Sequence, residues 1–453
     1  MNPLVEKYNV PGPRYTSYPT VPYWQEDTFS VQGWKDSVAH SFSVSNDSEG
    51  ISLYIHLPFC EQMCTFCGCH KRITVQHQLE SPYISALLAE WDLYLDLFDA
   101  RPRIKELHLG GGTPTFFSPA HLGVLIEGIM RRAKRAPGAS FSFEGHPNNT
   151  TAEHLSVLAH WGFDRVSFGV QDYNPAVQAA INRIQPFSAV KQVTEQARAL
   201  GYLSVGHDLI YGLPHQELTH IQETIGLTLS LMPDRIALYS YAHVPWLKGN
   251  GQRGFSQEDL PTAAQKLAQY QWAKSALIEA GYTDIGMDHF ALPGDSLSKA
   301  AQCGQLHRNF MGYTAGKTRL MIGLGMSAIS DSWGGFAQNE KNLEAYQHLV
   351  SQGIFPVFKG HLLSDEDLVV RQHILNLMTR WETSWETPES KLDQMELVLQ
   401  ALTPMIADDL VTVTDNHLTI APEGRAFVRN ICMAFDLRLA EHQPDRPLFS
   451  MTV

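Results

Sequence analysis

Cysteine is scarce in this chain: there are six in 453 residues, and four of them fall within ten positions. So few thiols exclude a disulfide-stapled secreted scaffold. No uninterrupted apolar run approaches the roughly 18–20 residues of a membrane span. The first residues, Met-Asn-Pro-Leu-Val-Glu-Lys-Tyr, lack the apolar segment of a signal peptide. Positive charge is also in deficit, since 34 Lys and Arg against 47 Asp and Glu leave a formal charge of −13. No basic stripe is present, which argues against general nucleic-acid binding. An anionic ligand must therefore be met by locally placed Arg, Lys or His, not by the field of the whole molecule. These absences point to a cytoplasmic enzyme that engages neither membrane nor nucleic acid.

The thiols that are present lie in Cys60-Glu-Gln-Met-Cys64-Thr-Phe-Cys67-Gly-Cys69, directly after the strand-like run Ile51-Ser-Leu-Tyr-Ile-His-Leu57. A C-x3-C-x2-C spacing lets three thiolates converge only on a metal or a cluster. A structural zinc site usually pairs two C-x2-C units a dozen or more residues apart, and this loop is too tight for that. Cysteine thiolates are the usual ligands of iron–sulfur clusters. A cluster held by three of them leaves one iron open to bind something else. Cys303, in a polar stretch, and Cys432, in an apolar one, read as ordinary thiols.

Residues 51 to about 290 alternate strands and helices. The pattern predicts strands over 51–57, 104–109, 140–144, 165–168, 203–210 and 235–239, with amphipathic helices over 83–98, 121–134, 152–160, 189–200 and 221–231. Such alternation implies parallel βαβ units and an α/β fold. The distinctive residues sit at the strand C-termini, where the active site of a parallel barrel lies. From about 360 the pattern changes to helices over 365–378, 392–406 and 424–436, with a short strand pair around 410–420.

Gly110-Gly-Gly-Thr-Pro-Thr115 follows a strand and precedes a helix. Its glycines let backbone approach a ligand closely, and no Gly-Lys-Ser/Thr follows, which excludes a Walker loop. Glu144 ends an alternating strand and can point into a barrel mouth; a capping or salt-bridging role is the alternative. Asp208 lies in an apolar strand, where a buried carboxylate needs partners. Arg183 suits a carboxylate-binding fork or an ordinary surface position. Asp288-His289 and His307-Arg308-Asn309 are polar clusters compatible with a site or with loops.

The cysteine motif with Gly-Gly-Gly-Thr-Pro resembles the radical S-adenosylmethionine (SAM) superfamily. Within it, Lys7-Tyr-Asn-Val-Pro-Gly-Pro-Arg-Tyr-Thr-Ser-Tyr-Pro-Thr20, Cys67-Gly-Cys69, Asp208-Leu-Ile-Tyr-Gly-Leu-Pro214, His307-Arg-Asn-Phe310 and Arg429-Asn-Ile-Cys-Met433 resemble oxygen-independent coproporphyrinogen III oxidase. The resemblance implies a partial (βα)6 TIM-like barrel with an N-terminal extension and a mostly helical C-terminal domain. The expected divisions are 1–48, an extension contacting the cleft; 49–290, the barrel; 291–360, a barrel-completing, cofactor-contacting segment; and 361–453, a helical lid. It implies one [4Fe–4S] cluster held by Cys60, Cys64 and Cys67, and two SAM molecules. Tyr54, Gly111, Glu144, Ala242 and Ile329 would contact the first SAM. Phe66, Gly112, Thr113, Gln171, Arg183 and Asp208 would contact the second. Cys69, Phe310 and Met311 are catalytic or substrate candidates. The substrate would be the tetrapyrrole coproporphyrinogen III, oxidatively decarboxylated at two propionates to give protoporphyrinogen IX. An electron donor such as flavodoxin or ferredoxin and an unknown acceptor complete the reaction of a protein expected to be monomeric.

The chain departs from the family pattern at three places. Met311 stands where Gln is typical, Glu144-Gly-His-Pro-Asn148 replaces Glu-Val-Asp-Pro-Arg, and Arg319 precedes Leu-Met-Ile-Gly323 where an acidic residue is usual. All three are expected around the cofactor and substrate cavity. They keep open a paralogous radical SAM methyltransferase or haem-modifying enzyme. A non-catalytic haem chaperone is a third reading, opposed by the presence of Cys69 and the long N-terminal segment.

Overall fold

Aliphatic residues at every second position (Ile51, Leu53, Ile55 and Leu57) build β1 (Ile51–Leu57), which is buried almost throughout, as a strand covered on both faces must be. The structure, a computed structural model, describes residues 3–24, 28–245, 251–252, 254–442 and 448–452. Next to β1 run β2 (Arg103–Gly111), β3 (Lys134–Gly145), β4 (Phe163–Gln171), β5 (Ser204–Tyr211) and β6 (Arg235–Ser240), all parallel and in sequence order. The crossovers carry α1 (Glu80–Leu95), α2 (Pro119–Arg132), α3 (Ala152–His160), α4 (Phe187–Ala199) and α5 (Leu218–Leu231). Ser118 caps α2 through the His121 N–H with Pro119 at its first turn, and Thr151 caps α3 through the His154 N–H. The helix expected over 83–98 starts earlier, because Glu80 accepts from the Ser118 N–H and pairs with His77 and His121 at its first turn.

The six expected strands are the centre of a twelve-stranded sheet. Met321–Leu324 lies parallel beside β1, and the antiparallel strands Ile329–Asp331, Gly335–Asn339 and Val357–Leu362 follow it outward. Beyond β6 come His289–Ala291 and Thr283–Gly286, also antiparallel. These added strands are three to six residues long, too short for periodicity to separate them from loop or helix. The sheet forms a partial barrel and does not close on itself.

The largest core joins β1–β4 to α1–α3 and takes in Trp34, Val38 and Phe42 from the helix Val31–Ser45. A second core holds the helices Asp365–Arg380, Met395–Ala407 and Val428–Phe435 with a three-stranded sheet of Glu382–Ser384, His417–Ile420 and Val411–Thr414. The helix expected over 424–436 is split, since Pro422 and Gly424 open it as a 3-10 segment, Pro422–Phe427. Val5, Tyr8, Tyr15 and Tyr18 belong to this second core. Through these residues the described N-terminal segment packs into the C-terminal domain, each buried aromatic contributing about 2 kcal/mol or more of apolar burial.

Candidate active site

The cysteine loop leaves the C-terminal end of β1, and the glycine turn leaves that of β2. The two are hydrogen-bonded: the Gly112 N–H donates to the Leu57 carbonyl at 2.8 Å and the Thr113 N–H to Phe59 at 2.9 Å. A Cβ at Gly112 would lie 2.5 Å from the Pro58 carbonyl, so only glycine permits this approach. Thr113 Oγ1 then sits 3.3 Å from the Cys60 sulfur.

The far side of the loop is tied to the turn after the helix Pro175–Ala180. The Thr65 N–H donates to Ile181, its hydroxyl to Ala180, and Asn182 Nδ2 to the Met63 carbonyl. That turn delivers Arg183, whose Nη1 lies 3.6 Å from the Cys64 sulfur and whose Nη2 donates to the Gly169 carbonyl at 2.6 Å. Lys71 caps the loop through the carbonyls of Cys67 and Cys69. Cys60, Cys64 and Cys67 are half-buried, and Cys69 is exposed. A hydrogen bond from Cys69 pulls the Cys67 thiol down to about 6 while raising Cys69.

Three soft thiols, one flanked by a guanidinium, are the donor chemistry an iron–sulfur cluster requires. Among the described residues no three His, Cys, Asp or Glu surround a single-ion position; thiolates that each take a separate iron do not need one.

Inside the mouth lies a cavity of about 140 Å³ whose wall is written in alternation along the strands. Its inward residues are Glu106 and His108 on β2, Ser142 and Glu144 on β3, Arg165 and Ser167 on β4, Ser204 and Asp208 on β5, and Arg235 and Tyr239 on β6. Most of these lining residues were not singled out from the sequence, although every second position in each strand carried the signal.

Glu144 accepts from the Gly111 N–H at 3.3 Å and faces His108 Nε2 at 3.5 Å, while His108 Nδ1 reaches Ser142 Oγ at 2.8 Å. Burial raises its pKa, but the His108 and Gly111 interactions outweigh that and hold the carboxyl below its ordinary range. Tyr54 stacks on His108 at 6.0 Å. Its hydroxyl lies 3.1 Å from His56 Nδ1, whose Nε2 donates to the His70 carbonyl. Burial lowers His56 to about 4, so the ring is neutral.

Asp208 accepts from Ser167 at 2.8 Å. Burial, then the nearby Glu144, push its carboxyl up to about 7. Gln171 ends β4 with a φ of +68°, at a register shift between Gly169 and Gln171. A Cβ at Gly169 would meet Gln171 Nε2 at 2.7 Å and Arg183 Nη2 at 2.8 Å, so glycine lets both polar groups converge. Gln252 Nε2 donates to the carbonyls of Phe66 and Ala242, linking the cysteine loop to the segment after β6.

Met311 lines the cavity, but Phe310 does not; it packs edge-on against Trp24 and Phe336. Ile329 is half-buried on its strand beside Gly323. The three family departures do not all surround the cavity. His146 lies near Arg183, which together with burial takes it down to about 3. Asn148 is a surface residue whose Nδ2 donates to the Ile184 carbonyl, and Arg319 is a surface partner of Glu49. The Asn148 and Arg319 side chains are exposed and turn outward.

A three-thiol loop after the first strand of a partial parallel barrel, with a glycine turn and two carboxylates around its mouth, defines a radical SAM protein. The radical SAM superfamily model matches residues 54–228. The chain is 37% identical over 460 residues to the oxygen-independent coproporphyrinogen III oxidase of Synechocystis, covering 99% of this chain and 97% of that protein. It is 37% identical over 443 residues to the protein of the same name from Escherichia coli, covering 97% and 95%. The solved structure of coproporphyrinogen III oxidase (HemN) from Escherichia coli, described as a radical SAM enzyme, superposes with a TM-score of 0.88 at 36% identity, covering 93% of this chain and 97% of that one. The chain belongs to the oxygen-independent coproporphyrinogen III oxidase family. Its cofactors are a [4Fe–4S] cluster and SAM. Among the described residues no helix is long and apolar enough to cross a membrane.

Proposed function

We propose that this protein is an oxygen-independent coproporphyrinogen III oxidase, converting two propionates of coproporphyrinogen III into vinyl groups to give protoporphyrinogen IX. The similarity to enzymes of that name over nearly the whole chain carries the reading, because it includes the N-terminal and C-terminal segments and not the barrel alone. When bound, the cluster and SAM supply a one-electron cleavage whose outcome is removal of a hydrogen atom from carbon. Each round takes one hydrogen atom, one electron and CO2 from a propionate.

The chain's own residues prepare that chemistry. Cys60, Cys64 and Cys67 hold the cluster. Glu144, fixed by His108 and the Gly111 N–H, receives the amino group of the first SAM, alongside Tyr54, Ala242 and Ile329. Asp208, whose charge is costly in its buried place, accepts ribose hydroxyls of the second SAM. Arg183 takes that molecule's carboxylate, with Phe66, Gly112, Thr113 and Gln171 around it. Met311, in the cavity wall, faces the substrate; Cys69 stands beside the cluster and Phe310 braces the Met311 turn.

In this reading 1–48 is an extension reaching the cleft, 49–290 the catalytic barrel, 291–360 its completing segment and 361–453 a lid. The enzyme works in the cytoplasm as a monomer, draws electrons from a small carrier such as flavodoxin or ferredoxin, and passes electrons to an acceptor of unknown identity.

Anaerobic incubation of the reconstituted protein with SAM, a reductant and coproporphyrinogen III tests the function. Two vinyl groups and two CO2 per substrate are expected. Cleavage of SAM with the tetrapyrrole unconsumed would sink it and favour a radical SAM methyltransferase or haem-modifying enzyme, the reading supported by Met311 in place of Gln. Stoichiometric haem binding with no SAM cleavage would indicate a chaperone.

A further inference from the structure

Behind the Tyr239 and Tyr313 rings of the cavity wall, three arginines lie near one carboxylate. Arg14 pairs with Asp288 and lies over the Tyr239 ring. Arg308 reaches across to donate from Nη2 to the Arg14 carbonyl at 3.1 Å. Arg429 is close enough to feel Arg14, Arg308 and Asp288. Arg429 is occupied by backbone: it donates to the carbonyls of Gly12, Pro13, Ser450 and Met451.

Arg308 is not satisfied in this way. Only 4% of it is exposed, yet its Nε and Nη1 have no hydrogen-bond partner among the described residues. Stacking on Tyr313 at 4.6 Å covers a face of the guanidinium and leaves those edges unmet. An arginine buried with two unpaired donors and no carboxylate of its own is expensive. The surplus of positive charge is local, in a chain whose total is −13.

The neighbours of Arg308 lead into the cavity. Tyr313, His289 and Tyr239 line it, and His289 Nδ1 is also without a partner among the described residues. Burial takes His289 down to about 4, so it adds a neutral ring and no further charge. The position of Arg14 is set from a distance. Asn430 holds the Tyr8 carbonyl, Arg429 holds the next turn, and Tyr15 is kept at a φ of +47°, a conformation that a non-glycine residue adopts only when its surroundings impose it.

We propose that Arg308 and Arg14 form a subsite for a carboxylate of the substrate, one that is anchored and does not react. On this assignment Asp288 is the internal counter-ion that keeps Arg14 in place until the substrate carboxylate arrives. The inference rests on the tetrapyrrole reading above and adds to it which groups fix the macrocycle's orientation under the cofactors.

The test is anaerobic fluorescence binding of coproporphyrin III, the oxidised and unreactive form, and of its tetramethyl ester, to the cluster-loaded protein. Arg308→Gln is expected to weaken the acid by about 10- to 100-fold and leave the ester unchanged. Arg308→Lys, which keeps the charge and loses the fork, should fall between. The SAM-induced change in the electron paramagnetic resonance spectrum of the reduced cluster should be the same in all three proteins, which also reports folding. Equal weakening of acid and ester, or no weakening of either, overturns the subsite. Should Arg308→Gln fail to fold, Arg308→Lys and Arg14→Lys carry the same comparison. Wild-type protein that binds neither porphyrin and converts no coproporphyrinogen would defeat the tetrapyrrole reading itself; turnover with unaltered Arg308 variants would defeat the subsite alone.

Discussion

Arg183 bridges Cys64 and the end of β4: one guanidinium nitrogen lies 3.6 Å from the sulfur and another is bound to the Gly169 carbonyl. Hydrogen bonds and positive charge at cluster sulfurs favour the more reduced form. Arg183→Met should lower the cluster potential by on the order of 50 mV, the equivalent of one lost charged hydrogen bond. Redox titration of the reconstituted protein without SAM measures it, and an unchanged potential would remove Arg183 from the cluster's surroundings.

Glu144 offers a carboxylate already aimed by His108 and the Gly111 N–H. Glu144→Gln keeps the shape and removes the charge that an ammonium group needs. SAM affinity should fall by about 10- to 100-fold, read from a SAM titration of the reduced cluster's spectrum. Retention of wild-type affinity would mean that Glu144 serves only the fold.

Glu90 is fully buried beneath the turn that precedes Ile329. It accepts from the Gly325 N–H at 2.8 Å, Asn339 Nδ2 at 2.6 Å and the Tyr346 hydroxyl at 2.7 Å. Burial raises it from 4.5 to about 7 despite those bonds. Below about pH 4.5 both folded and unfolded chains carry the proton. Between there and about 7 the folded chain keeps a proton that the unfolded chain releases, so stability declines as pH rises through this window. The full loss is about 3 kcal/mol. Glu90→Gln should flatten that decline between about pH 4.5 and 7, measured by denaturant unfolding; an undiminished slope would assign it to other groups.

Met311 is the family departure whose side chain lines the cavity. Met311→Gln restores a donor and acceptor in place of a soft thioether. Turnover of coproporphyrinogen III should equal or exceed wild type by a few-fold in steady-state assays. A severe loss would indicate that the wall is shaped for another molecule.

Much of this site was legible because its chemistry is local in the chain. The ten residues from Cys60 to Cys69 state the thiol chemistry, and the run ending at Glu144 shows by alternation that its carboxylate turns inward. β1 and α3 were readable to their end residues, one from its apolar density and the other from its amphipathic pattern. Other parts depend on distance. The strand Met321–Leu324 is recognisable only by pairing with β1, some 270 residues earlier. Asn148 and Arg319 belong to motifs expected around the cavity, yet both side chains lie at the surface, one against the Ile184 carbonyl and the other beside Glu49. Nothing around Arg308 tells a reader of the sequence that Arg14 is beside it.

The two ends of the described chain meet at one side chain: Arg429 grips carbonyls at Gly12 and Pro13 and others at Ser450 and Met451. During synthesis the barrel strands emerge long before that grip can form, since domains fold as their residues leave the ribosome. The sheet, the cysteine loop and the glycine turn can assemble early, while Arg14 stays undelivered until residues around 429 to 451 are made. A chain that stops short of those residues lacks the contacts that hold the segment before Arg14 in place.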